Sequence, residues 1–146
     1  PDEINYAISL GIDLIGENRV QELCEKFDAI NREAVEIHFI GALQTNKVKY
    51  IIDKVSMIHS VDSLKLAQEI NKRAQQHNLT MDILIQVNSA MEESKFGITT
   101  EETGQMIEDI LAQTAAQGLD NNVNYSEFFT DGTMRFDFHH AGDSTE

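Results

Sequence analysis

Four short apolar runs, each closing on hydrogen-bonding side chains and separated by helix-length stretches, constrain this chain more than any other feature. The runs are residues 12–15, 37–40, 57–59 and 82–87. Glu17-Asn18 follows the first, Gln44 to Lys47 the second, His59-Ser60 and Asp62 the third, and Asn88 to Lys95 the fourth. Between them, apolar residues recur at helical spacing. Ile4, Ala7 and Ile8 form one stripe, with Gly11 as its stop, and Val20, Leu23, Cys24, Phe27 and Ile30 form the next. Helices are expected over 46–53 and 64–76, the second opened by Asp62 or Ser63 as N-cap. A last helix starts at Thr99 or Thr100, where Thr99-x-x-Glu102 makes a capping box, and runs through Met106, Ile107, Ile110 and Leu111.

Short strands alternating with helices imply parallel strands joined by right-handed crossovers. The order fits an open doubly wound sheet or part of a (β/α)8 barrel, and both place ligand chemistry at the carboxyl ends of the strands. The polar clusters stand at those ends. Neither a G-x-G-x-x-G turn nor a P-loop occurs, which weakens the nucleotide-binding doubly wound option. After Gly118 the rhythm stops, so a first unit is expected over 1–119 and a separate tail over 120–146. The tail reads as a β-hairpin over 125–138, turning at Thr130-Asp131-Gly132, or as a disordered segment.

Composition narrows the partners. The 146 residues are 41% hydrophobic and 25% charged, enough for one domain with a buried core. A net charge of −14 argues against nucleic acid or an anionic membrane surface as the main partner, while leaving room for a local anion pocket. No apolar run reaches the roughly 18 residues of a membrane span. Cys24 is the only cysteine, which excludes a disulfide framework and fits a cytoplasmic setting; its acidic, helical neighbours suit a packing role. Pro1-Asp2-Glu3 reads as the first turn of a helix, and a chain opening there reads as a fragment of a longer one.

Among single residues the signals are modest. No Ser/His/Asp triad or nucleophile elbow is spaced recognisably. His139 and His140 alternate across a strand and cannot readily share an ion, so no metal site is expected. His38 suits packing or capping; His59, beside Ser60 at a strand's carboxyl end, is the better functional candidate, with a structural role open beside it. Lys47 and Lys95 follow strands, where an ammonium can hold a phosphate or form an imine, although a solvated side chain is the commoner outcome. Gly41 and Gly97 allow close backbone approach.

In order and spacing, GENRVQEL (16–23), HFIGALQTNKVK (38–49), IHSVDS (58–63) and QVNSAMEESKFG (86–97) resemble the pyridoxal-phosphate homeostasis protein family, described also as alanine-racemase N-terminal-like. The resemblance covers most of residues 1–119 and implies units two to five of an eight-unit barrel; residues 120–146 match no part of the family. It implies a protein that binds pyridoxal 5′-phosphate through a lysine imine and serves vitamin B6 and amino-acid homeostasis without an established reaction. The family's imine lysine lies in a V-S-K segment upstream of the helix that begins here at Pro1, and this chain does not contain it. Its phosphate loop and arginine–glycine segment are not found either. Carried over by position, Asn18, Gly41, Gln44, Asn46, His59, Ser60 and Asn88 are expected to form a polar rim at the cofactor mouth. No catalytic residue is expected, and cofactor binding by this chain alone is expected to be weak or absent. Two alternatives stay open: part of a pyridoxal-phosphate-dependent racemase-like enzyme, or an interaction module that self-associates through exposed strand edges.

Overall fold

The computed structural model describes residues 1–87 and 99–116 and the backbone of two further strands, 123–129 and 135–138. The chain opens with helix α1 (Asp2–Ser9), whose first turn carries Asp2 and Glu3 against the positive end of the helix dipole. It stops at Gly11, where φ is +105°, a left-handed conformation that costs glycine little. Asn5 fixes α1 in place by donating to the Ala29 carbonyl at 2.7 Å and accepting from the Asn31 amide at 2.9 Å.

Strand β1 (Leu14–Glu17) starts two residues later than the apolar run suggests, because pairing with β2 (Glu36–Phe39), Leu14 opposite Glu36, sets its limits. Between these strands, helix α2 (Val20–Lys26) tightens into a 3₁₀ turn at Phe27–Ala29. The expected 46–53 helix is a 3₁₀ turn (Thr45–Lys47) followed by a short α3 (Val48–Ile51). Then come β3 (Met57–Val61), α4 (Leu64–Gln76), β4 (Met81–Val87) and α5 (Thr100–Ala116). The capping box forms at α5: Thr99 N donates to Glu102 Oε2 at 3.2 Å, and Glu102 N donates to Thr99 Oγ1 at 3.3 Å.

β1 to β4 run parallel in sequence order, and β5 (Val123–Phe129) adds a fifth parallel strand beside β4. The parallel order thus continues past residue 119, where the strand–helix rhythm of the sequence stops. β6 (Arg135–Phe138) lies antiparallel to β5 with Tyr125 opposite Phe138, the pairing of the expected hairpin; its turn lies outside the described residues. The fold is α/β, a partial (β/α)8-type barrel wall with an antiparallel strand at one edge.

Alternation assigns the two sheet faces. Ile37, Phe39, Ile58, Val61, Ile83, Ile85 and Val87 are buried with Leu23, Val48, Ile51, Ile52, Leu66 and Ile70 from the helices, forming one core. Both Ile58 and Val61 belong to that core because β3 bulges between them. The other face carries Leu14, Gly16, Glu36, His38, Met57, Asp82, Leu84 and Gln86 and is far more polar. In a closed barrel that face is the interior. No helix among the described residues is long and apolar enough to cross a membrane.

Candidate functional site

The carboxyl ends of β1, β2 and β3 lie side by side, and glycine lets their loops interlock. A Cβ added at Gly41 would sit on the Asn18 carbonyl oxygen and 2.8 Å from the Asn18 Cα, so only glycine lets the two loops meet. The Ile40 amide donates to the Glu17 carbonyl at 2.8 Å and continues the pairing to the rim. Beneath Asn18, the Glu17 carboxylate is 5% exposed and meets Lys26 Nζ at 2.7 Å, tying the end of β1 to α2. A buried carboxylate requires such a partner. Sequence reasoning picked out Glu17 but not Lys26, because a contact between a strand end and the far end of the next helix leaves no spacing signature.

Gln44 and Asn46 are exposed on the 3₁₀ turn after β2. They line an open groove of about 760 Å³ with Asp62 and Ser63 and with Lys65, Glu69, Lys72 and Arg73 of α4. Glu69 and Arg73 pair across one helical turn at 2.8 Å. Burial raises the pKa of the Asp62 carboxyl, while a hydrogen bond from its own backbone opposes the shift. Lys47, exposed, stands over the Tyr50 ring at 5.6 Å, and Lys49 approaches the same ring at 5.1 Å.

His59 lies in the bulged part of β3, half-buried, with Nε2 2.9 Å from His38 Nδ1 on β2. The ring centroids are 5.0 Å apart at a 56° tilt. His38, read from sequence as a packing or capping residue, is therefore the hydrogen-bond partner of the better candidate. Its signal was present, since both histidines fall near the ends of consecutive parallel strands, but the register was needed to join them. Ser60 is 6% exposed, and its Oγ has no hydrogen-bond partner among the described residues. A buried hydroxyl without a partner carries a desolvation cost that a ligand atom can relieve.

The expected rim therefore falls into separate groups at one end of the sheet. Asn18 and Gly41 touch, Gln44 and Asn46 share the α4 groove, His59 pairs with His38, and Ser60 is buried beside it. Asn88, Lys95, Gly97, His139 and His140 lie outside the described residues. No cluster of three or more metal-ligating side chains occurs among the described residues.

Comparison with known proteins gives a consistent result. Residues 3–128 match the alanine racemase N-terminal domain. The chain is 46% identical to a pyridoxal phosphate homeostasis protein of Aquifex aeolicus, over 74% of this chain and 47% of the relative. It is 34% identical to the protein of the same name from Helicobacter pylori strain J99, over 94% of this chain and 67% of that one. PipY of Synechococcus elongatus, solved without pyridoxal phosphate, superposes with a TM-score of 0.67 at 27% identity, over 85% of this chain and 55% of PipY. A second PipY structure has pyridoxal phosphate bound and superposes with a TM-score of 0.62 at 23% identity, over 85% of this chain and 54% of that one, a likeness of fold. The chain spans about half the length of the first curated relatives it matches.

Proposed function

Because the chain belongs to the pyridoxal phosphate homeostasis proteins, within the alanine racemase N-terminal domain family, we propose that it forms part of the rim of a pyridoxal 5′-phosphate site. In this reading it serves vitamin B6 and amino-acid homeostasis as a carrier or regulator, without catalytic turnover. The observation that carries the reading is that the touching pair Asn18 and Gly41, His59, and the Ser60 hydroxyl, which has no partner among the described residues, all lie toward the carboxyl ends of adjacent parallel strands. PipY, a relative by fold and sequence, has a solved structure with the cofactor bound.

The described residues suit the polar half of such a site. Asn18, Gln44 and Asn46 offer neutral amides that both donate and accept, the Ser60 hydroxyl has no partner among the described residues, and Gly41 lets the loops after β1 and β2 close on each other. Asn88, directly after β4, is assigned to the same rim by its place in the chain. They do not suit covalent capture: Lys26 and Lys54 are in ion pairs, Lys47 and Lys49 lie over Tyr50, and Lys65 and Lys72 stand on α4. Bound pyridoxal phosphate supplies an aldehyde that captures amines and a ring that withdraws electrons from what it captures. This chain's residues would orient the ring and exclude water around it.

The expected result is weak or absent binding by this chain alone. Titration with pyridoxal phosphate, followed at the imine absorbance band and by borohydride trapping with peptide mapping, tests it. A stable adduct on Lys47 or Lys95 would overturn the role given to those lysines. Incubation with D- or L-alanine should show no turnover, and measurable racemisation would replace the carrier reading with an enzymatic one. A cytoplasmic location and self-association through strand edges complete the proposal.

A further inference from the structure

We propose that His38 and His59 act as a proton-sensitive latch across the β2–β3 seam. The proposal stands whether or not the chain holds a cofactor. Two imidazole nitrogens at 2.9 Å hold one proton between them, so one ring donates and the other accepts. The Glu36 carboxylate lies 3.5 Å from His38 Nε2, which favours the tautomer with a proton on that nitrogen and Nδ1 as the acceptor toward His59. With both rings protonated, two N–H groups and two positive charges would face each other at the same distance. The bond then becomes a repulsion, and the rings must part.

The seam is where such a change would be felt. β2 and β3 are registered at two positions, His38 with Met57 and Phe39 with Ile58, against four for β1 with β2 and seven for β4 with β5. β3 then bulges away from regular pairing with β4 from Ile58 to Val61, and His59 sits inside that bulge. A side-chain bond therefore bridges the wall where backbone pairing is thinnest. Among described residues the charged groups on this face are Glu36 on the same strand as His38 and Asp82, opposite Met57 on β4. Neighbouring β1 presents Gly16 opposite His38 and contributes no charge there. The His38 side chain is 14% exposed, enough for protons to reach it from solvent.

The experiment uses this chain labelled with ¹⁵N-histidine. At pH 8 a scalar coupling between His38 Nδ1 and His59 Nε2 across the hydrogen bond is expected, and by pH 5 it should be lost. Over the same interval, hydrogen exchange at the Phe39 and Ile58 amides, corrected for intrinsic rates, should accelerate about fivefold, the weight of one net hydrogen bond. In His38→Gln, which cannot take up the second charge, exchange at those amides should hardly change between the two pH values. His59→Gln serves the same purpose if His38→Gln does not fold. Coupling that persists at pH 5, or acceleration as large in the glutamine variants as in the parent, would overturn the latch.

Discussion

A carboxylate withdrawn from water needs an opposite charge, and Glu17 has only one within reach among the described residues, the Lys26 ammonium. Lys26→Met should therefore cost roughly 3 kcal/mol in urea unfolding, because it leaves a buried charge uncompensated. Adding Glu17→Gln should recover much of that loss, and a double variant no better than Lys26→Met would refute the account. At Gly41 a methyl group would collide with backbone rather than with a yielding side chain, so Gly41→Ala should lower stability by about 1–3 kcal/mol. Asp62 works in the opposite sense. Its folded pKa is raised, so the folded chain holds a proton that the unfolded chain has released, and stability falls as pH rises from the ordinary aspartate range through the raised value. Asp62→Asn should raise the melting temperature at pH 7, and the gain should shrink as pH is lowered toward about 4. At this scale the sequence displays single letters well and pairs poorly. Asn18, Gly41 and Ser60 were visible as polar or small residues closing apolar runs, whereas Glu17–Lys26 and His38–His59 exist only once strand order and register bring distant positions together.

Elements were legible in proportion to how clearly their ends are marked. The expected and observed limits of α4 coincide because both ends carry local chemistry. Ser63 Oγ accepts from the Leu66 amide at 3.2 Å, and the exit turns through Asn78 at φ +52° while Leu79 N donates to Ala74 O at 3.0 Å. Ser63→Ala should destabilise the chain by about 1 kcal/mol and Ser63→Asp should not, as thermal unfolding would show. An alanine variant as stable as the parent would mean that α4 is held by its buried stripe of Leu66, Ala67, Ile70 and Ala74 alone. The helix expected over 46–53 had no such markers. Its apolar residues Val48, Ile51 and Ile52 are fully buried, so packing rather than capping defines α3, and the segment before it winds as 3₁₀. Likewise the stripe through Phe27 and Ile30 marked a buried face correctly but not the residue at which α2 tightens, since a 3₁₀ turn preserves nearly the same facing.

For the whole molecule, the alternation of strands and helices was enough to read parallel order, because four strands each carry an apolar run and a polar close. It was not enough to place β5, which departs from the rhythm and gains its place by pairing with β4 along seven residues. Among the described residues the sheet is open at β1, whose outer edge has no strand beside it and whose Leu14 is 47% exposed, as is Ile12 just before it. An unpaired parallel edge with apolar side chains is a template for another strand. Opposing this is the net charge of −14, which repels a second copy over distances that salt shortens. The two effects predict that association depends on both concentration and ionic strength. Light scattering coupled to size exclusion should show larger species as protein concentration rises, and more of them in 0.5 M salt, where the Debye length is roughly 4 Å, than in 0.05 M, where it is roughly 14 Å. Leu14→Lys puts a charge on the edge and should shift the chain toward monomer under both conditions without altering its circular dichroism. A parent chain that stays monomeric at high salt and high concentration would show that the β1 edge is already protected, and the sheet would then have to be regarded as self-sufficient.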